Sequence, residues 1–334
     1  MKILIADPLS EKGHLNFNLG VIEWFKNDQH ITIDYYVSEY MQCAMQLVCK
    51  VFPDRDLDKT NIIKYKIKQL KILNDIISYA NNHGYDKLIF LSYEVYSTAV
   101  YMNFMRLIRK NGLEIYLIEH NTIPTSFLKN IFYSIIPKKN ITHIGLVTYI
   151  SEYIKNKYKK NSLYIPHPMR KLPVREYRKE KTIKVFMPSF VEQKLKNEIC
   201  DSFRKLGEGY LLCTKGMSGV LDNIIFKEYY DNYDEELTIA DAIFIPQYFD
   251  YRVSGVFYEA LQTHAKIFMS NCIFSQYMKT IFKDKIIIID SWEEYICNHF
   301  VSEMNIPQVK KDVNENYFNH EGLKIVRENI LCLE

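Results

Sequence analysis

The chain has 334 residues, 48% of them hydrophobic and 25% charged, an ordinary globular composition that excludes a disordered protein and suits two domains better than one. A formal net charge of +3 leaves no electrostatic footprint for a nucleic-acid partner. Seven cysteines, an odd number with no CxxC spacing, exclude a disulfide scaffold and a structural zinc site and point to free thiols in a reducing compartment.

The opening MKILIADPL has one lysine and a short apolar run, too brief for a signal peptide. Residues 3–6 are expected as a strand, residues 7–18 as a loop containing Gly13, and residues 19–26 as a helix. Residues 31–37 alternate as a strand does. Residues 61–82 are expected as a long helix with Ile63, Ile67, Leu70, Leu73 and Ile77 on its apolar face and Lys64, Lys68 and Lys71 between them. A buried strand at 87–91, a helix at 95–110 and a strand at 115–118 follow, the last ending in Glu119, His120 and Asn121. Strands at 144–147 and 163–165 flank a helix at 152–158. This alternation predicts a parallel sheet covered on both faces.

The pattern breaks at 169–181, a charged stretch containing Pro173 that is read as an interdomain linker. A second series begins with a strand at 183–187, a helix at 193–205 and a strand at 210–214. A helix is expected at 223–230, a strand at 242–246, strands at 265–270 and 286–290, a helix at 292–299 and a terminal helix at 322–330. The expected domains are 1–168 and 182–315, with 316–334 crossing back to the first. No apolar stretch approaches the roughly 20 residues that span a bilayer, so a cytoplasmic protein is expected, at most peripheral to a membrane.

The most informative stretch is YRVSGVFYEALQTHAKIFMS, residues 251–270. A strand runs into a loop with Ser254, Gly255 and Val256, then into a helix carrying Glu259. Small residues at a helix mouth leave free backbone N–H groups that suit phosphate. Glu259, one turn on, is in reach of a ribose or sugar diol. A histidine at a strand end, as at His120, suits a site in an α/β sheet.

This layout resembles the GT-B glycosyltransferases, specifically the family-4-like retaining group of bacterial polysaccharide and lipopolysaccharide assembly. The resemblance implies two Rossmann-like domains facing across a cleft, the first binding acceptor and the second a nucleotide-sugar donor. Of the family's two glutamates seven residues apart, the second falls on Glu259 and implies a ribose contact, while the first is replaced by Tyr251. Ser254, Gly255 and Val256 align with the phosphate-binding loop. Lys194 matches the family's diphosphate lysine; the arginine five positions earlier is replaced by Ser189, whose hydroxyl offers one hydrogen bond, and Arg252 is expected to supply the missing charge. His120 matches a histidine near the donor's anomeric centre. Gly13 stands where the family often has paired glycines beneath the phosphates, with His14 and Asn16 as further polar candidates. His167, between two prolines, lies at the linker and is read as a fixed turn.

The resemblance implies transfer of a sugar from a nucleotide sugar, UDP first and GDP next, to a glycan or lipid-linked acceptor, with no tightly bound cofactor and no metal. The leaving phosphate takes the acceptor proton, so no strong protein base is required. No paired carboxylates suggest a hydrolase, and no DxD stands at a strand end. Residues 126–140, SFLKNIFYSIIPKKN, together with the lysines of 59–71, are candidates for membrane-surface contact. The alternatives are a non-catalytic nucleotide- or sugar-binding scaffold of the same fold and a GT-B nucleotide-sugar epimerase. A dinucleotide oxidoreductase lacks its GxGxxG after the first strand.

Overall fold

A computed structural model describes residues 1–25, 31–104, 112–173, 181–306, 313–314 and 316–333. The chain divides into two compact units, Met1–Pro168 with Phe318–Glu334, and Met169–Tyr317.

Unit 1 runs β1 (Lys2–Ala6), α1 (Leu15–Phe25), β2 (Thr32–Ser38), α2 (Glu39–Met45), β3 (Lys50–Phe52), α3 (Ile62–Asn82), β4 (Lys87–Phe90), α4 (Val95–Phe104), β5 (Glu114–Glu119), α5 (Phe127–Ile135), β6 (Ile141–Gly145), α6 (Thr148–Tyr158) and β7 (Ser162–Tyr164). Its strands form one parallel sheet in the order β3-β2-β1-β4-β5-β6-β7. Ile3, Leu4, Ile5 and Ala6 are all fully buried, so β1 reads as a continuous apolar run because helices cover both faces. The chain winds from β1 outward to β3, then returns to β4 on the other side of β1. The ends of β1 and β4 therefore form a topological switch point, where α/β sheets open a crevice.

Unit 2 runs β8 (Ile183–Met187), α7 (Gln193–Arg204), β9 (Tyr210–Lys215), β10 (Gly219–Leu221), β11 (Ile224–Lys227), α8 (Tyr233–Ile239), β12 (Ala242–Ile245), α9 (Gly255–Ala260), β13 (Lys266–Ser270), α10 (Ile273–Phe282), β14 (Ile286–Ile289), α11 (Trp292–Asn298) and α12 (Phe300–Asn305). The sheet order is β10-β11-β9-β8-β12-β13-β14, parallel except for β10 against β11. Its switch point lies between β8 and β12. Phe203, Phe244, Phe268, Trp292 and Phe300 fill its core, and the Trp292 indole N–H donates to Ser270 Oγ at 2.8 Å, which satisfies the one polar atom that such a ring buries. The last helix, α13 (Asn316–Asn329), packs Gly322 on the Trp24 indole of α1; a Cβ at Gly322 would overlap that ring.

Several elements differ from expectation. Helix α1 begins at Leu15, after a 3-10 turn at Lys12–His14, because the apolar spacing of Phe17, Val21, Ile22, Trp24 and Phe25 already supports helix there. No helix covers 223–230: residues 224–227 are strand β11, paired with β9 and turned back onto β10 through Asp222, at φ 52°. Asp tolerates that left-handed geometry, and the β-branched run at Ile224–Ile225 suits a strand. The unexpected α8 follows instead, with Asp234, Glu235 and Glu236 in its first turn, where carboxylates favour a helix dipole. In α3 the buried face is Tyr65, Gln69, Ile72, Leu73, Ile76 and Ile77; Ile63 and Ile67 are 73% and 61% exposed. Helices α6 and α13 start earlier than expected, at Thr148 and Asn316. The expected continuation of α4 over 105–110 and most of the expected linker, 174–180, lie outside the described residues.

Candidate functional site

In unit 1, an open cavity of about 310 Å³ lies at the carboxyl ends of β1, β4 and β5, lined among others by Glu11, His14, Glu94, His120, Asn121 and Lys129. Parallel strands point their carboxyl ends to the same edge, so loops distant in sequence meet there. The imidazoles of His14 and His120 stack with centroids 4.4 Å apart and planes 16° apart. Phe17 meets His120 edge-on at 4.2 Å and His167 at 5.1 Å. His120 hydrogen-bonds the Leu91 backbone, while its Nε2 is buried with no protein partner. The nitrogen facing Leu91 is therefore Nδ1, and Nε2 is left as a bare acceptor. Burial, together with the charges that His14 and His167 would carry, holds the His120 pKa well below its ordinary value; the ring is neutral at pH 7. The acids of this cavity are paired: Glu11 with Lys59 at 3.0 Å and Glu94 with Lys66 at 2.5 Å.

In unit 2, the loops after β8 and β12 meet at the switch point, where Gln247 Nε2 donates to Phe190 O at 2.7 Å. Ser254 is buried and caps α9, its Oγ accepting from Phe257 N at 3.3 Å. Gly255 and Val256 open the helix, so their N–H groups have no intrahelical acceptor. Glu259 lies one turn further. Its Oε1 accepts from Arg170 Nε at 2.8 Å and its Oε2 from Tyr233 OH at 2.6 Å. Arg170 also forks onto Asp234, with Nη1 at 2.7 Å and Nη2 on the other oxygen. Burial alone would lower the Arg170 pKa, but Asp234 and Glu259 outweigh it and hold the guanidinium charged. Burial and then Glu259 push the Tyr233 phenol well above its usual value, so it stays a donor.

The sequence-derived residues fall into two sets. Gly13, His14 and His120 belong to unit 1. Gly13 is exposed in the 3-10 turn, and a Cβ there would meet nothing, so the fold itself does not require glycine. Asn16 sits in the first turn of α1. His167 is buried, with Nδ1 2.7 Å from Pro168 O, and burial lowers its pKa to about 4; this is the fixed turn read from the sequence. Ser189, Lys194, Arg252, Ser254, Gly255, Val256 and Glu259 belong to unit 2. Ser189 follows β8 and is half-buried, while Lys194 is exposed in the first turn of α7. Arg252 is exposed, lies over the Phe249 ring at 4.9 Å and donates to Tyr248 O at 3.2 Å. Sequence reasoning missed Arg170, Tyr233 and Asp234. The first sits in what read as linker and the other two in the unexpected α8. The acid-rich start of that helix was the available signal.

No family model matches the chain, and no curated protein matches it. Solved structures do. HepE from Anabaena, in complex with UDP and glucose, is 10% identical with a TM-score of 0.65, covering 99% of this chain and 98% of that one. A putative UDP-N-acetylglucosamine 2-epimerase from Listeria monocytogenes is 7% identical with a TM-score of 0.63, covering 100% and 97%. WaaG, a glycosyltransferase involved in lipopolysaccharide biosynthesis, is 12% identical with a TM-score of 0.59, covering 98% and 94%. Two Rossmann-like α/β units in one chain, similar along their whole length to these proteins, define the GT-B glycosyltransferase fold. At such identities the likeness concerns fold alone.

Proposed function

We propose that the protein is a retaining, family-4-like glycosyltransferase that moves a sugar from a nucleotide sugar, UDP-linked first and GDP-linked next, onto a glycan or lipid-linked acceptor of cell-surface polysaccharide assembly. The observation that carries this reading is Glu259, a carboxylate one turn behind a Ser254-capped helix mouth and oriented by Arg170 and Tyr233. A carboxylate is an acceptor for the hydroxyls of a ribose diol, and Arg170 and Tyr233 hold this one in a fixed orientation. Three proteins of similar fold are in complex with such ligands: HepE with UDP-glucose, S. aureus MnaA with UDP and a Neisseria meningitidis UDP-GlcNAc 2-epimerase with UDP-GlcNAc.

In this reading unit 2 binds donor and unit 1 binds acceptor. Negative charge grows on the leaving diphosphate. Lys194, Arg252 and the N–H groups of Gly255 and Val256 oppose it, with Ser189 adding a hydroxyl. No metal or tightly bound cofactor is invoked. The leaving phosphate takes the acceptor proton. Neutral His120 presents Nε2 to a sugar hydroxyl as an acceptor.

Apolar side chains of α5 support a membrane-bound acceptor: Phe127, Leu128, Ile131 and Ile135 are 81%, 56%, 41% and 46% exposed. Lysines 129, 138 and 139 are nearby in sequence, a pairing that suits an anionic interface. The second reading, a nucleotide-sugar epimerase, is favoured by the epimerases among the similar folds. Incubation of the full chain with radiolabelled UDP and GDP sugars, with and without membrane extract, separates the two. Acceptor-dependent label in glycan or lipid supports transfer. A changed sugar still on the nucleotide, formed without acceptor, supports epimerisation and overturns transfer.

A further inference from the structure

Two carboxylates at the carboxyl edge of the unit 1 sheet are fully buried, Asp7 after β1 and Glu119 at the end of β5. Among the described contacts neither meets a lysine or arginine. Both are instead surrounded by neutral donors and one imidazole. Asp7 accepts from Ser10 N at 3.0 Å, from Asn18 Nδ2 at 2.6 Å and from Ser92 Oγ. Glu119 accepts from Tyr93 OH at 2.8 and 3.0 Å, from Tyr133 OH at 3.1 Å and from Thr122 Oγ1, with His143 Nδ1 at 2.5 Å. A carboxylate only accepts, so His143 carries its proton on Nδ1.

Strand β4 lies between β1 and β5, and three consecutive residues at its tip serve both sides. Leu91 bonds His120 through its backbone, Ser92 donates to Asp7, and Tyr93 donates to Glu119. These residues lie just past β4, where the chain bends at Leu91 and Ser92, and the neighbouring side chains there hold two different carboxylates. Asp7 begins the loop that leads to His14, and Glu119 immediately precedes His120. The stacked imidazoles are thus fastened at both loop roots to one strand end. Apolar side chains would fill the same space without desolvating two carboxyl groups, so the polar design has a use other than burial.

We propose that Asp7 and Glu119, tied together by Leu91, Ser92 and Tyr93, are positioning residues that fix the stacked His14 and His120 in the cavity and keep His120 Nε2 as the acceptor. The geometric part stands on unit 1 alone; its consequence for turnover rests on the transferase reading above.

The test uses the full chain labelled with ¹⁵N-histidine and reads imidazole tautomers by long-range ¹H–¹⁵N spectra, with H14Q and H120Q providing assignments. E119Q keeps the shape but turns an amide N–H₂ toward donors; Y93F removes a single hydroxyl and is the milder change. Both are checked for folding by thermal unfolding. The expected result is an Nδ1–H tautomer for His120 in the wild type and a mixed tautomer with shifted ring resonances in folded Y93F, together with a roughly tenfold fall in kcat at unchanged donor KM. Unchanged His120 resonances in folded Y93F, and in E119Q if it folds, would overturn the proposal. Shifted resonances in a protein whose wild type transfers no sugar would support the positioning device and count against the transferase reading instead.

Discussion

Glu259 is the residue on which donor binding turns, and its surroundings set what its loss should cost. Truncation to alanine removes a hydrogen-bonded carboxylate and leaves the Arg170 charge with Asp234 alone. Hydrogen bonds to charged groups contribute about 1.5–3 kcal/mol, so Glu259→Ala should weaken nucleotide binding by on the order of tenfold to a hundredfold. Arg170→Ala should weaken it less, through disorder of Glu259; calorimetric titration compares the two. Gly13→Ala is a complementary probe. Nothing in the fold meets its Cβ, so thermal stability should be unchanged, and any fall in donor affinity reports a ligand that approaches the backbone there.

Three histidines, His120, His167 and His264, make a pH prediction at the same scale. Burial lowers His167 and His264 to about 4 and His120 well below 6.5. Above about pH 6.5 these rings are neutral in both folded and unfolded chain and contribute nothing. Between about 6.5 and 4 the unfolded chain takes up protons that the folded chain refuses, so stability falls as pH falls. The limiting slope is ~1.4 kcal/mol per pH unit for each such ring. Urea unfolding at pH 7.5, 6.0 and 5.0 should show this decline, and His167→Gln should flatten it. Equal stabilities at all three values would contradict the burial of these rings.

At the scale of elements, the sharpest packing constraint is Gly322 of α13 on Trp24 of α1. Gly322→Ala forces overpacking, which typically costs 1–3 kcal/mol, and should lower the unfolding midpoint. Most strands were legible because parallel-sheet strands are short apolar runs bounded by polar loops. The Ser254–Glu259 site was legible for a related reason: its residues are contiguous. Element α8 and the hairpin β10–β11 were not, since Ile224, Ile225 and Phe226 next to Tyr229 and Tyr230 fit a helical as well as a strand pattern, and pairing with β9 decided the outcome. In α3 the expected Leu73 and Ile77 are buried, whereas in its first two turns Tyr65 and Gln69 take the buried side in place of Ile63 and Ile67; Gln69 Nε2 reaches Pro8 O at 3.3 Å. The Arg170–Glu259, Asp7–Ser92 and Glu119–His143 contacts join residues 89, 85 and 24 positions apart, and such pairings carry no local sequence signal.

On the scale of the whole molecule, the same sequence pattern written twice yields one parallel sheet and one that is parallel except for β10, each with its own switch point and each with polar groups gathered there. No described helix is long and apolar enough to cross a membrane. Exposed Phe127, Leu128 and Ile131 on α5, and Ile62, Ile63 and Ile67 at the start of α3, flank α4, whose Tyr96 touches Phe132 of α5 edge-on at 5.0 Å and receives Lys66 of α3 over its ring at 4.7 Å. Flotation should recover the protein with phosphatidylglycerol-containing vesicles and not with pure phosphatidylcholine. Phe127→Ser with Leu128→Ser should reduce recovery at least tenfold, since burying each such side chain contributes about 1.5–3 kcal/mol; unaltered flotation would remove this face from the account.

The central claim is that unit 2 holds the nucleotide of a sugar donor through Glu259. Its most direct test is a thermal-shift panel of UDP, GDP, ADP, CMP, NAD and the common nucleotide sugars on wild type and Glu259→Ala. The account predicts a clear rise in midpoint with one nucleotide, UDP first, that is lost in the variant. A rise of equal size in both proteins, or none with any nucleotide, would contradict it.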